Sequence, residues 1–245
     1  YSPRTEKAFV QRALEVVGHV QKGIPFFFND DVMVPALVSH GICLEDARDY
    51  TQIGCVETVI PGKSNPHAVS GRCNFLRGME YALNNGCSMI NPELTPGLET
   101  GEPEGFKSFE QLKEAVFKQV GNMLESTCER VKYWLKPAGR HDLRPYKSLL
   151  TQGCLESGRD FNERGAKYDY YQIDFMGIPN LADSLEAIRE LIYKNKRYTL
   201  EQLIYQLKND WPDEAMRLDF LNKAPKFGND IQSVDCLLYT SDAAD

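Results

Sequence analysis

Cys55-Val56-Glu57 is the pattern in this chain best suited to chemistry. In an extended segment residues i and i+2 project to one side, so a thiol and a carboxylate there would face one cavity together. Gly54 ahead of them permits a tight turn, and Pro61-Gly62 behind them fixes the exit. A thiol can attack as a thiolate, bind a metal or pass a hydrogen atom. A neighbouring carboxylate disfavours the thiolate, which weighs against ordinary nucleophilic use. Hydrogen-atom transfer needs only a neutral thiol. The same spacing also fits a small buried cysteine beside a surface glutamate, and spacing alone leaves both readings open.

Other residues offer less. His67 is a loop histidine that either contacts a bound molecule or caps a turn. Asp30-Asp31 is the one adjacent aspartate pair, with no other ligand types near it at metal-binding spacing, and reads as a strand-end turn. Cys43, Cys73, Cys87, Cys128, Cys154 and Cys236 form no C-x-x-C pair, so neither a metal site nor a disulfide framework is expected. Scattered thiols in odd number point to a reducing, cytoplasmic compartment.

The elements that must position these residues follow from periodicity. Apolar spacing predicts a helix over Lys7–Val20, then a buried strand over Ile24–Phe28, and short helices over Asp31–His40 and Leu44–Tyr50. A strand is expected over Thr51–Glu57 and a helix over Ser70–Asn84. The strongest helix signal is Ser108–Trp134, where Ser108 and Gln111 make a capping box and Leu112, Val116 and Val120 line one face. Pro145–Glu156 reads as a helix, Tyr168–Asp174 as a strand, and Asn180–Tyr193, Thr199–Asn209 and Asp213–Asn222 as helices. Thr199 and Gln202 make a second capping box. Long helices between short strands predict an α/β fold with crossover connections and parallel pairing.

Composition limits the function classes. The 245 residues carry a formal net charge of -7, with 42% hydrophobic and 26% charged residues, a globular balance that excludes wholesale disorder. An acidic chain without a basic stripe is a poor nucleic-acid binder. No apolar run approaches the roughly 20 residues of a membrane span. Residue 1 is Tyr, so a native translation start is not expected there. Cys236–Asp245 (CLLYTSDAAD) reads as a non-native tail without regular structure, leaving 1–235 as the folded part.

Several strings together identify a resemblance. Phe28-Asn29-Asp30-Asp31, Leu44-Glu45-Asp46-Ala47-Arg48-Asp49-Tyr50, Gly54-Cys55-Val56-Glu57 and Pro61-Gly62-Lys63 resemble the glycyl radical enzymes of the pyruvate formate-lyase superfamily. The likeness continues through Gly153-Cys154-Leu155-Glu156, Gly165-Ala166-Lys167-Tyr168, Asn180-Leu181-Ala182-Asp183-Ser184-Leu185 and Gly228-Asn229-Asp230. It implies part of a ten-stranded α/β barrel with surrounding helices. It implies Cys55 as a thiyl radical carrier and Glu57 as the general base of a dehydratase-like lyase. The substrate would be a small hydroxylated molecule that loses water, an amine or sulfite. The glycyl radical itself is expected beyond Asp235, because the family's Arg-Val-x-Gly motif does not occur here. It would be installed by a separate S-adenosylmethionine iron–sulfur activating enzyme, with no cofactor bound in this chain and a homodimer at full length. The chain alone is then expected to be inactive.

Two departures matter. Val56 stands where pyruvate formate-lyase itself has a second cysteine, which argues against formate acetyltransferase chemistry. The His-Asp pair of the diol dehydratases is His67-Ala68 here. That weighs against glycerol or propanediol and leaves His67 as a candidate substrate-binding residue. An arylacetate decarboxylase or C–C lyase of the same family is the second reading, and a catalytically silent α/β interaction module the third.

Overall fold

The structure is a computed structural model describing residues 1–21, 26–54, 56–67, 70–91, 93–94 and 96–242, with side chains for these except 135–140 and 240–242. The helices, in chain order, are α1 (Lys7–Val20), α2 (Asp30–Ser39), α3 (Leu44–Ala47), α4 (Phe75–Ala82), α5 (Phe109–His141), α6 (Pro145–Leu149), α7 (Cys154–Ser157), α8 (Ile178–Ile188), α9 (Leu200–Lys208), α10 (Glu214–Asn222) and α11 (Gln232–Asp242). The strands are β1 (Thr51–Ile53), β2 (Glu57–Val59), β3 (Ser64–Asn65), β4 (Gly71–Asn74), β5 (Tyr168–Asp169) and β6 (Ile173–Met176). The mixed α/β class matches the expectation. None of the described helices is long and apolar enough to cross a membrane.

The chain divides into two compact units, Tyr1–Ala68 with Lys136–Gln172, and Val69–Leu135 with Ile173–Asp245. In the first, β1 and β2 form an antiparallel hairpin and β3 pairs in parallel with β5. A small core of Ile42, Ala47 and Ile60 lies among Val34, Leu37, Tyr50, Tyr168 and Tyr170. The second unit holds the larger core. There β4 runs parallel to β6, from Gly71 opposite Ile173 to Asn74 opposite Met176. Leu112, Val116 and Val120 of α5 pack with Leu181, Leu185 and Ile188 of α8, all buried. Each such side chain contributes roughly 1.5–3 kcal/mol of burial. Gly78 lets α4 approach α5, since a Cβ there would stand 2.5 Å from Val120 Cγ2.

Local signals and local structure agree where the signal is complete. Both capping boxes form: Ser108 N donates to Gln111 Oε1 at 3.2 Å, and Thr199 N to Gln202 Oε1 at 2.9 Å, with the reciprocal bonds present. Where tertiary pairing intervenes, the expectation is corrected. Gly71–Asn74, read as the start of a helix, is strand β4 because β6 supplies its ladder. Asn74 then caps α4 by accepting from Leu76 N at 3.1 Å. Tyr168–Asp174 splits into β5 and β6, which pair with different strands. Pro145–Glu156 splits into α6 and α7 at Gly153, whose φ of +99° cannot continue a helix. Asp30 and Asp31 open α2 instead of closing a strand, with Asn29 as N-cap accepting from Asp31 N at 3.1 Å. Of the expected strand Ile24–Phe28, Ile24 and Pro25 lie outside the described residues, and Phe26–Phe28 has no regular structure, with Phe26 exposed.

The tail expectation is also corrected. Cys236–Asp242 continues α11, and Leu237 is buried in the larger core together with Val234. A helix that ends the chain with an apolar face over α8 gains burial that a frayed tail would forgo. Residues 243–245 lie outside the described residues.

Candidate active site

Gly54 and Val56 lie in the turn of the β1–β2 hairpin, where Ile53 pairs with Glu57. The strand expected over Thr51–Glu57 is therefore divided, with β1 ending at Ile53 and β2 beginning at Glu57. Cys55 itself lies outside the described residues. Gly54 adopts φ +57°, the left-handed conformation the turn requires. Glu57 is buried, and its carboxylate folds back over the loop, with Oε2 accepting from Val56 N at 3.0 Å. A Cβ on Gly54 would stand 2.6 Å from that same Oε2. The hairpin thus holds a carboxylate against the backbone on both flanks of position 55. Gly54→Ala is expected to displace the Glu57 carboxylate and to lower stability by about 1 kcal/mol through its backbone alone. Thermal unfolding checks this, and an unchanged Tm would refute it.

His67 sits after β3 with φ +40°, a strained backbone for a non-glycine residue. Its Nε2 lies 2.8 Å from Asp169 Oδ1, and both side chains are largely buried. Arg164 Nε donates to the other Asp169 oxygen at 2.7 Å. The Tyr171 ring lies 5.2 Å from the His67 ring. Burial alone would raise the Asp169 pKa, but the hydrogen bonds from His67 and Arg164 hold it below the ordinary value. The His-Asp pairing absent from the sequence neighbours His67-Ala68 is therefore made across the β3–β5 pair, by a residue far along the chain. Sequence reasoning missed Asp169. The one available signal was the parallel register of two short strands, which no local pattern reveals.

A second ionic centre anchors the hairpin's exit. Asp46, buried at the end of α3, accepts from Lys63, from Lys167 Nζ at 2.6 Å and from Tyr168 OH at 2.7 Å. Lys167 foremost, then Lys63 and Tyr168, hold its carboxyl well below the usual carboxylate range. A carboxyl depressed in the folded state contributes stability above its unfolded pKa of about 3.9 and loses it as pH falls through the folded value. Asp46→Asn is therefore expected to unfold at lower temperature than the parent at pH 6. The gap should narrow steadily below about pH 4. A pH-independent difference in Tm would contradict this.

Among the described residues, no group of three or more His, Cys, Asp or Glu side chains is placed to hold a metal ion. The other described cysteines serve packing or lie at the surface: Cys73 and Cys154 are buried, and Cys43 and Cys87 are exposed.

The model of one protein family, described as Pyruvate formate lyase-like, matches residues 1–240. The chain is 33% identical over 235 residues to trans-4-hydroxy-L-proline dehydratase of Clostridioides difficile, covering 96% of this chain and 29% of that protein. It is 30% identical over 219 residues to (2S)-3-sulfopropanediol dehydratase of Klebsiella oxytoca, covering 88% of this chain and 26% of that protein. Among solved structures it is similar to the glycerol-bound form of the B12-independent glycerol dehydratase from Clostridium butyricum. That match has a TM-score of 0.85 and 30% identity, over 100% of this chain and 30% of that one. The chain thus spans under a third of the length of the relatives it matches.

Proposed function

Because this chain belongs to the pyruvate formate lyase-like family, we propose that it carries the thiol and the base of a glycyl radical lyase of the dehydratase type. The observation that carries the reading is the hairpin. Glu57 is buried with its carboxylate folded onto the loop that bears Cys55, and position 54 has no room for a side chain. These residues fit a radical-driven elimination, since the base is held against the backbone of Gly54 and Val56, the two neighbours of Cys55 in sequence. A glycyl radical, expected on a segment beyond Asp235 and installed by a separate S-adenosylmethionine iron–sulfur enzyme, would supply the hydrogen-atom acceptor for the Cys55 thiol.

The chain's own residues account for the rest. Cys55 sulfur takes a hydrogen atom from a substrate carbon that bears a hydroxyl or an amine, forming S–H and a carbon radical. That radical makes the hydroxyl or ammonium proton more acidic, and Glu57 accepts it. The neighbouring group leaves with its bonding electrons, and a hydroxide takes the proton held on Glu57 to depart as water. Cys55 returns a hydrogen atom to the product carbon. His67, with Nε2 on Asp169, is read as a substrate-binding residue whose ring direction the carboxylate fixes. The parallel pairs β3–β5 and β4–β6 are each read as barrel strands, in a protein that is homodimeric, cytoplasmic and inactive when reduced to this chain alone.

The test is anaerobic turnover by the complete, activated protein on trans-4-hydroxy-L-proline, (2S)-3-sulfopropanediol and glycerol, followed by mass spectrometry. Loss of water from at least one supports the reading. Glycerol should be the poorest of the three, since Ala68 replaces the aspartate of the diol dehydratases' His-Asp pair and Asp169, the carboxylate on His67 here, is already engaged by His67 and Arg164. Failure on all three, in protein that carries the glycyl radical, would overturn the dehydratase assignment.

A further inference from the structure

Segment Tyr168–Gln172 contacts Asp46, Thr58 and His67 in alternation. Backbone N–H groups of Tyr168 and Tyr170 donate to the Lys63 and Asn65 carbonyls at 3.0 and 3.2 Å, which sets the segment in register beside β3. Alternate side chains then project to opposite sides. Asp169 and Tyr171 meet His67. Tyr168, Tyr170 and Gln172 face the other way. Tyr168 OH reaches Asp46, while Tyr170 OH and Gln172 Nε2 converge on one atom, the carbonyl oxygen of Thr58, at 2.9 and 2.6 Å.

Thr58 follows Glu57 directly. A carbonyl oxygen has two lone pairs, and here two side-chain donors occupy them. One hairpin strand of three residues would otherwise be held only by its partner β1, and a short two-stranded hairpin is marginal by itself. Burial pushes the Tyr170 phenol up, so it keeps the proton it donates. We infer that Tyr170 and Gln172 are positioning residues for Glu57: together they clamp the Thr58 carbonyl and thereby fix the carboxylate against Gly54 and the Val56 N–H. This inference rests on the reading of Glu57 as the base. It adds which residues set that base, two donors more than a hundred positions away that carry no reactive group themselves.

The physical consequence is specific. Without the clamp the hairpin keeps its β1 pairing but gains freedom at residue 58. Misplacement of a base on the ångström scale costs up to about 100-fold in rate, without changing how substrate binds elsewhere. The loss should therefore fall on kcat and not on KM.

The test uses Tyr170→Phe, Gln172→Met and the double variant in the complete, activated protein, with Glu57→Gln beside them. Tyr170→Phe keeps the ring and Gln172→Met keeps the volume, so each removes a donor with little change in packing. Amide exchange over residues 56–59 should quicken about tenfold in the double variant, while residues 109–131 stay at the parent rate. On whichever of the three substrates turns over fastest, kcat should fall about tenfold in each single variant and further in the double. KM should stay within about twofold, and the pH profile of kcat should move. Unchanged exchange at 56–59 overturns the inference whether or not any substrate reacts. So does a loss of glycyl radical signal in Tyr170→Phe that parallels the loss of turnover, since that assigns the pair to general folding. If Glu57→Gln itself retains full turnover, the reading of the base fails, and the exchange result still judges the clamp.

Discussion

Cys55→Ser in the complete, activated protein is expected to abolish turnover while leaving the glycyl radical's EPR doublet intact. A serine O–H bond is much stronger than a cysteine S–H bond, so serine cannot hand its hydrogen atom on to make an oxygen radical at a useful rate. It is close to isosteric, so the hairpin turn at Gly54 and the Glu57 contact to Val56 N–H are kept. The expected loss is about 10⁶-fold, the scale seen when an essential covalent group is removed from an otherwise intact site. Spin counting by EPR and a turnover assay on the same sample check both halves. Retained turnover would remove Cys55 from the mechanism. A vanished doublet would instead mean that the substitution blocks radical installation, and the role of the thiol would need another probe.

What the sequence disclosed about this site depended on how local the determining physics was. Lys7–Val20 was legible as a helix because its apolar period is its own property. The start of α9 was legible because Thr199 and Gln202 cap each other within one turn. Cys55 and Glu57 stood out by type and spacing, but the single strand expected over Thr51–Glu57 is divided, because Gly54 takes φ +57° and β2 folds back on β1. The supports were illegible for a different reason. Asp169 meets His67 across 102 positions, and Tyr170 meets Thr58 across 112. Nothing within either neighbourhood encodes the other. Short parallel strands offer two or four residues of signal, and Gly71–Asn74 was lost inside an apparent helix for that reason. The one cue that was present, the alternating Tyr168-Asp169-Tyr170-Tyr171-Gln172, becomes informative only when both of its faces are known to be occupied.

Glu57→Gln is expected to lower kcat by about 10²–10⁴-fold, the usual worth of a positioned general base. Glutamine retains a carbonyl oxygen that can accept from Val56 N–H, so the loop geometry survives while proton acceptance is lost. That separates two steps which Cys55→Ser stops together. With Glu57→Gln, the Cys55 thiyl can still take a hydrogen atom from substrate and return one. Substrate deuterated at the reacting carbon would then deliver deuterium to sulfur, the S–D bond would exchange with water, and a protium atom would come back. Unreacted substrate should therefore lose deuterium with the Glu57→Gln protein, and keep it with Cys55→Ser. The label is read by mass spectrometry of recovered substrate. Full turnover in Glu57→Gln would place the base elsewhere. A substrate that neither turns over nor loses its label would mean that Glu57 is needed before hydrogen-atom transfer, because it binds the hydroxyl whose carbon reacts. In that case the buried carboxylate orients the substrate first and accepts its proton second, and Glu57→Asp should recover label loss only if the shorter arm still reaches the hydroxyl.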